Sequence, residues 1–300
     1  MPADTVLWLT GQLRAQYPDS WEAALAGLSA RRVTSLRVNT LNDDTLRVID
    51  ALGRAGLSPE RASFYGDALV LPAGSEKALR ALPEYENGAF YMQSLSAMLP
   101  PMVLDARPGE DILDMCAAPG GKTSQIAQLT DGRAMITAAE PDRIRAERLR
   151  ANLRRLGVSR VTVIEKDARR LDDFLRFDRI LLDAPCSGSG TLDLSDPRGS
   201  RAFSEKLAVN SARLQKELIR KAAGLLKKGG TLVYSTCSLL KAENEDVVQS
   251  ALKLPGLTLE PLDFSRFPGV PALKNSLPGT LTVCPTDRYE GFYLAVLKKS

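Results

Sequence analysis

The sequence predicts an α/β protein, with a doubly wound, Rossmann-like parallel sheet in the second half of the chain and a small α+β domain ahead of it. Three observations carry this reading. From Asp111 onward, short apolar runs alternate with helix-length amphipathic segments, the pattern of strands buried on both faces and joined by helical crossovers. Up to about Glu86 the order is instead helix, strand, helix and strand, each of modest length, which suits a small α+β unit. The composition, 44% hydrophobic and 25% charged over 300 residues, is that of a globular chain long enough for one large domain and a smaller companion, and it excludes disordered, collagen-like and secreted mini-protein classes. The units are set at residues 1–86 and 87–300.

In the first unit a helical stretch runs from Ser20 to Leu28, a strand covers Ser35-Leu36-Arg37-Val38-Asn39, a helix spans Asp43 to Leu52, and a short strand covers Ala68-Leu69-Val70-Leu71. In the second, the strands are Ile112-Leu113, Ala134 to Ala138, Val161 to Ile164, Ile180 to Leu182 and Thr231 to Tyr234. Ligands of open α/β sheets sit outside the carboxyl ends of the strands, so the residues that follow each run are the candidates for chemistry.

Composition narrows that chemistry. The chain has no histidine, which removes Ser-His-Asp triads, Cys-His pairs and every metal site that uses imidazole. Its four cysteines, Cys116, Cys186, Cys237 and Cys284, form no C-x-x-C pair, so neither a zinc cage nor a disulfide framework is expected. No metal is expected, and a reducing compartment is the default. The first residues lack a basic region followed by a long apolar run, and no stretch approaches the ~20 apolar residues of a membrane span. A cytoplasmic protein without a membrane partner is the expectation. Forty Lys and Arg against 36 Asp and Glu, a net charge of +4, permit a polyanionic partner without demanding one.

The first strand of the second unit leads into Asp114-Met115-Cys116-Ala117-Ala118-Pro119-Gly120-Gly121-Lys122-Thr123, where small residues let backbone amides approach a ligand. A phosphate loop would need glycine where Cys116 stands and would have to tolerate Pro119 inside its cradle. A dinucleotide fingerprint fails too, because Gly120 and Gly121 are adjacent and no third glycine follows at the required offset. Glu140 ends the second strand, where a carboxylate can accept hydrogen bonds from the two hydroxyls of a ribose. Asp167 closes the third strand and Asp183 the fourth. Any one of these acidic residues could instead cap the next helix or turn; with Asp114 they make four in register.

Two cysteines occupy equivalent places. Cys186 follows the fourth strand in Asp183-Ala184-Pro185-Cys186-Ser187-Gly188-Ser189-Gly190, and Cys237 follows the fifth in Tyr234-Ser235-Thr236-Cys237-Ser238. A lone cysteine is more often a small buried hydrophobe than a nucleophile. Neighbouring strands lie ~5 Å apart, however, so two loops leaving adjacent strand ends could bring both thiols into one cleft. Cys116, within the ligand loop, and Cys284, in a Val283-Cys284-Pro285 turn, are read as structural.

With those segments in place the chain resembles the RNA 5-methylcytosine methyltransferases of the Sun/nucleolar-protein family, which includes bacterial ribosomal RNA cytosine methyltransferases. The resemblance runs through SLRVNTL (Ser35 to Leu41), YMQSLSAMLP, DMCAAPGGKT, DAPCSGSG, YSTCSLLKAENE and GFYLAVLKK, in order over about the whole chain. It implies a class I methyltransferase sheet with an N-terminal RNA-binding domain. It also implies S-adenosylmethionine as cofactor, held by Cys116, Ala117, Ala118, Pro119, Gly120, Gly121 and Lys122 with Glu140, Arg145, Asp167 and Asp183. RNA is the implied partner, ribosomal RNA first and transfer RNA as the alternative, for a monomeric enzyme. Of the arginines on the helix after Glu140 (Arg143, Arg145, Arg148, Arg150, Arg154, Arg155), only Arg145 is taken as a contact, by family position; the others are read as a solvated face. Where many relatives carry a basic pair after the Pro-Cys-Ser-Gly loop, this chain has Thr191 to Asp196. With the chain stopping at Ser300, target choice is expected to rest on the N-terminal domain and the cleft rim.

Carbon-5 of cytosine is too weak a nucleophile to take a methyl group from a sulfonium unaided, so a thiolate first adds to carbon-6. The carbon-5 proton must then be removed and the thiolate expelled, which calls for a second group. The family pattern assigns addition to Cys237 and release to Cys186. Asp183 would hydrogen-bond the base edge, and Lys122 would orient the ring or raise the thiolate fraction; the alternative for Lys122 is a backbone cap. Competing readings are a DNA cytosine methyltransferase, which would use the Pro-Cys thiol and make Cys237 dispensable, and a non-catalytic RNA-binding assembly factor.

Overall fold

The computed structural model describes residues 3–196 and 203–300; of the chain start read for a leader, Met1 and Pro2 lie outside them. The amino-terminal part contains helices α1 (Ala3–Gln16) and α2 (Trp21–Leu28), then strand β1 (Thr34–Val38), helix α3 (Thr45–Arg54), strands β2 (Glu60–Ala62) and β3 (Tyr65–Leu71), short helices α4 (Glu76–Arg80) and α5 (Pro83–Glu86), and strand β4 (Phe90–Met92). The four strands form one antiparallel sheet in the order β2-β3-β1-β4. Asp44 starts α3 by accepting a hydrogen bond from the Arg47 amide at 3.0 Å, which satisfies one of the free donors of the first turn. Val48 and Leu52 of that helix pack with Leu36, Val38, Leu69 and Leu71 of the sheet.

Two features depart from the sequence reading of this half. Strand β4 pairs with β1, so the sheet closes at Met92, past the boundary placed at residue 86. The α1–α2 pair packs away from the sheet: Leu9, Leu13, Tyr17, Ala24 and Leu28 share a core with Leu192, Phe203, Leu239, Leu240 and Leu273. Long-range burial of this kind leaves no mark on local periodicity, which is why α1 and its partner surface were not legible.

The second half contains α6 (Leu99–Leu104), β5 (Asp111–Asp114), α7 (Gly121–Leu129), β6 (Met135–Ala139), α8 (Arg143–Arg155), β7 (Val161–Ile164), β8 (Phe177–Asp183), α9 (Glu205–Leu225), β9 (Leu226–Thr236), α10 (Glu245–Ala251), β10 (Leu257–Glu260), β11 (Ala272–Leu273), β12 (Leu281–Val283) and β13 (Phe292–Lys299). Its strands run β11-β12-β13-β9-β8-β5-β6-β7, with β10 beside β13. The five strands expected from the sequence are parallel to one another. The sheet is nonetheless mixed, because β10 to β13 are antiparallel additions at the β9 edge. A parallel pair needs a crossover of a dozen or more residues, and only the eight residues 284–291 join β12 to β13.

The central strands are buried on both faces, and successive residues point to opposite sides as period two requires. Leu113, Ile180, Leu182, Leu232 and Tyr234 face α9 and α10, whereas Ile112, Leu181 and Val233 face α6 and α7. The sheet order reverses between β5 and β8, the place where ligands bind in open α/β sheets. Among the described residues no helix is long and apolar enough to cross a membrane.

The first sheet is tied to helix α7 of the second half by Arg37 of β1, which has no exposed surface. Its Nε donates to Gln93 Oε1 at 3.1 Å and its Nη2 to Ser124 Oγ at 2.8 Å, while Nη1 donates to Gln128 Oε1. Burial pulls the guanidinium down to about 10, which leaves it charged at neutral pH. Removing it strands several buried acceptors. Arg37→Leu is therefore expected to lower folding stability by about 3 kcal/mol, seen as a lower urea midpoint with an unchanged slope; a midpoint equal to wild type would show that the clamp contributes nothing.

Candidate active site

At the carboxyl ends of β5 and β8 lies a cleft of about 200 Å³ lined by Tyr91, Gln93, Ser94, Ala97, Asp114, Cys116, Ala117, Ala118, Pro119, Gly121, Lys122 and Asp183. Most of the loop singled out in the sequence is on this wall. The loop ends at Gly120, whose φ of 107° belongs to the left-handed region, and where an added Cβ would meet Leu149 Cδ1 at 2.8 Å. Only glycine enters α7 by this path without strain. Tyr91, Gln93 and Ser94 come from the YMQS segment that ends β4 and leaves the first sheet; the sequence reading missed them as site residues, although it quoted the segment as a family motif.

Asp114 is buried beneath the loop, where its carboxylate accepts from Thr123 Oγ1 at 2.7 Å. Burial raises it to about 6, against the pull of the Thr123 hydrogen bond. Lys122, in the first turn of α7, does not cap backbone: its Nζ lies 2.7 Å from Asp183 Oδ2. Burial works against its charge, yet Asp183 and, to a lesser degree, Cys237 hold the ammonium above its usual range. The other oxygen of Asp183 accepts from Ser235 Oγ at 2.7 Å, so the carboxylate is fixed from both sides.

Asp183 of β8 stands opposite Ser235 of β9, and the two cysteine loops leave the sheet side by side from this register. Cys186 Sγ and Cys237 Sγ are 3.0 Å apart, and both residues are half-buried. The hydrogen bond to Cys237, reinforced by burial, pushes the Cys186 thiol well up, and either sulfur can donate in this contact. Gly190 N donates to Cys237 O at 2.9 Å and ties the loops together. An added Cβ on Gly190 would sit 2.1 Å from Gly291 O, so only glycine lets the Cys186 loop lie against the segment that leads into β13. Arg32 reaches in from the amino-terminal half and donates to the carbonyls of Gly190, Thr191 and Leu192.

Behind the thiols is Glu243, fully buried, another residue that lay within a quoted motif without being singled out. Burial raises its carboxyl even though Ser187 and Ser238 donate to it. Cys284 is buried, and burial pushes up both its thiol and that of Cys116, which lines the cleft.

Four residues predicted for the cofactor lie off the cleft wall: Gly120, at the entry to α7, and Glu140, Arg145 and Asp167. Glu140, 1% exposed, accepts from Asp142 N at 3.0 Å and pairs with Arg145 Nη1 at 3.3 Å. Arg145 Nη2 in turn donates to Ala118 O at 3.1 Å, joining Glu140 to the loop. Asp167 caps the turn Ala168–Arg170 and is gripped by the Arg169 guanidinium, the capping role left open by the sequence. Arg155 stacks on Tyr85 with its guanidinium carbon 4.4 Å from the ring centre, so it serves the junction between the halves rather than a solvated face. Among the described residues no cluster of three or more Cys, Asp or Glu could hold a metal ion.

A reversal-point cleft on a doubly wound sheet, preceded by a four-stranded antiparallel unit, defines a Rossmann-like methyltransferase with an N-terminal ferredoxin-like domain. The chain belongs to the family described as 16S rRNA methyltransferase RsmB/F, which matches residues 101–298; residues 7–76 match the RsmF/B-like ferredoxin-like domain. It is 37% identical over 281 residues to the human 28S rRNA (cytosine(4447)-C(5))-methyltransferase, covering 89% of this chain and 34% of that protein. It is 34% identical over 297 residues to ribosomal RNA small subunit methyltransferase B of Pseudomonas syringae pv. tomato, covering 97% of this chain and 65% of that one. The chain thus spans about a third of the human relative and just under two thirds of the bacterial one. Among solved structures, a methyltransferase homolog protein from Pyrococcus horikoshii superposes with a TM-score of 0.84 at 32% identity, covering 97% of this chain and 94% of that one. NSun6 from the same organism, crystallised with SFG, a S-adenosylmethionine analogue, superposes with a TM-score of 0.86 at 25% identity and 97% coverage of both chains.

Proposed function

We propose that this protein methylates carbon-5 of a cytosine in RNA, ribosomal RNA first among the candidates, with S-adenosylmethionine as methyl donor. The observation that carries the proposal is the 3.0 Å contact of Cys186 and Cys237 beside the Lys122–Asp183 pair, at the rim of a sheet-end cleft. A DNA-type mechanism needs only the Pro-Cys thiol, and an assembly factor needs neither. The names of the human and Pseudomonas relatives support an rRNA substrate, and a cytoplasmic location, which the bacterial relatives support, belongs to the same proposal.

The residues present fit the proposed cofactor. The loop from Cys116 to Lys122 is floored by small side chains, and a Cβ on Gly121 would collide with Tyr91 Cε1 at 2.8 Å, so the cleft stays open only with glycine there. Asp114 and Glu140 are buried carboxylates beside it, suited to a cationic nucleoside. Cys116 to Lys122, Glu140, Arg145 and Asp183 would hold the cofactor, and Asp167 joins them by exchanging Arg169 for the ligand. When bound, S-adenosylmethionine supplies an electrophilic methyl group.

The chain's own residues would do the rest. Lys122 stabilises the Cys237 thiolate, whose electron pair forms the bond to carbon-6 while the ring π electrons move to carbon-5. Asp183, held by Ser235 and Lys122, accepts from the base edge. While Cys237 is a thiolate, the hydrogen bond between the thiols keeps Cys186 protonated; once Cys237 is a thioether, that restraint is gone. Cys186 can then lose its proton to solvent and act as base on the carbon-5 proton, the electrons of that C–H bond restoring the double bond as the sulfur–carbon-6 bond breaks.

Bisulfite sequencing of total RNA from cells with and without the gene tests the reaction: a cytosine protected only in the presence of the gene names the target, and none protected in ribosomal or transfer RNA refutes it. For the cofactor, Glu140→Ala is expected to weaken calorimetric S-adenosylmethionine binding by about 10- to 100-fold, the worth of hydrogen bonds to a charged group. Unchanged affinity would remove Glu140 from the site.

A further inference from the structure

The carboxylate of Glu243 touches both cysteine loops at once. Its Oε1 accepts from Ser187 N at 2.7 Å and from Gln215 Nε2 at 3.3 Å; its Oε2 accepts from Ser187 Oγ at 2.5 Å and Ser238 Oγ at 2.6 Å. Ser187 follows Cys186 and Ser238 follows Cys237, so one carboxylate fixes the residue next to each thiol. The rest of the mesh is closed by hydroxyls and amides. Ser189 Oγ lies 2.9 Å from Ser238 Oγ and accepts from Leu239 N at 2.9 Å. Asn244, next to Glu243, accepts from Thr236 Oγ1 at 2.6 Å and donates to Ser238 O at 2.8 Å. Tyr234 OH donates to the Glu243 carbonyl.

Every side-chain partner of this buried carboxylate is neutral. An anion buried without a countercharge is costly, and a site that needed only packing would be met by an apolar residue of similar volume. What a carboxylate offers here is four acceptor positions at one point, matched to donors from two strand ends that would otherwise be free to separate.

We propose that Glu243 is a positioning residue that holds Cys186 against Cys237, and that it thereby governs release of the covalent intermediate rather than its formation. The inference rests on the reaction proposed above. Addition requires Cys237, which Lys122 supports from α7 independently of Glu243. Release requires the second sulfur to reach the same ring, and a displacement of about 1 Å there costs on the order of 10²-fold. Glu243→Gln keeps the shape but turns one acceptor oxygen into an NH₂ group that faces donors, and Ser187→Ala removes only one hydroxyl and spares the fold.

Two experiments together test this. In the first, steady-state methylation by Glu243→Gln is expected to fall about 100-fold and by Ser187→Ala to a smaller extent, with the single-turnover burst and S-adenosylmethionine affinity within twofold of wild type and a denaturation-resistant protein–RNA adduct accumulating. A variant that releases product like wild type, or one that is folded and binds cofactor but forms no adduct, overturns the assignment. The second needs no methyl transfer. Diamide takes two hydrogens from adjacent thiols, and peptide mapping reads the Cys186–Cys237 disulfide that results. Its formation is expected to be at least about 10-fold slower in Glu243→Gln than in wild type. Equal rates would show that Glu243 does not set the thiol contact, even if the reaction reading were wrong; slower oxidation in a chain whose wild type methylates no RNA would sink that reading and leave the positioning role standing.

Discussion

Cys237→Ala is expected to abolish both methylation and the covalent protein–RNA adduct, with activity down on the order of 10⁴- to 10⁶-fold, the scale for removing a nucleophile. The half-buried side chain is small, and alanine removes only the contact with Cys186 Sγ while leaving the backbone tie between the loops, because Gly190 N donates to the residue's carbonyl and not to its sulfur. Cofactor affinity and melting temperature should therefore stay near wild type, which separates loss of chemistry from loss of structure. Retention of the adduct would move the nucleophile to Cys186, as in DNA cytosine methyltransferases. Full rescue of ribosome maturation by Cys237→Ala in cells would instead favour an assembly role.

Cys186→Ala should do the opposite to the adduct. Addition by Cys237 survives, the carbon-5 proton has no base within reach, and the protein remains bound to its RNA. Turnover is expected to fall about 10²- to 10⁴-fold, the usual contribution of a positioned base, while a band of protein crosslinked to RNA persists in denaturing gels and grows with the amount of RNA supplied. The physical reason lies in the order of ionisation. The hydrogen bond to Cys237 and burial both push the Cys186 thiol up; in the proposed sequence Cys186 gives up its proton once Cys237 has bonded to carbon. A Cys186→Ala protein that releases methylated RNA at the wild-type rate would assign the base elsewhere. The two variants thus give opposite adduct phenotypes from residues in contact, an outcome that general misfolding cannot mimic.

Much of this site was readable before any coordinates. A residue placed directly after a buried apolar run must stand at a strand end, so Asp114, Glu140, Asp167, Asp183, Cys186 and Cys237 could be located on one edge of the sheet from local pattern alone. The five parallel strands were legible for the same reason: a strand buried on both faces is a continuous apolar run. Of the antiparallel strands at the β9 edge, β11 and β12 were not, because short segments such as Leu281–Val283 carry too few residues for their period to be told from a loop; β13 (Phe292–Lys299) is a long apolar run that stood in the sequence only as a quoted motif.

Side-chain partnership was the other thing local pattern could not supply. Asp167 and Glu140 look alike in sequence, yet one is held by Arg169 and the other by Arg145 and the Asp142 amide. Lys122 could equally have capped backbone, and its pairing with Asp183 depends on how α7 crosses β8. Arg37 and Glu243 lay in quoted motifs with no visible purpose, since their partners are far along the chain or arise from a neighbouring loop.

The sequence by itself determined the fold class, the strand-end positions of the candidate residues and the exclusion of histidine chemistry, because each follows from composition or from periods of two and 3.6 residues. Only the tertiary structure decided that the two sulfurs touch, that Asp183 is clamped between Lys122 and Ser235, and that the first helices pack on the carboxyl-terminal half. Those facts depend on strand register and long-range burial, which arise when segments remote in the chain are brought to within a few ångströms.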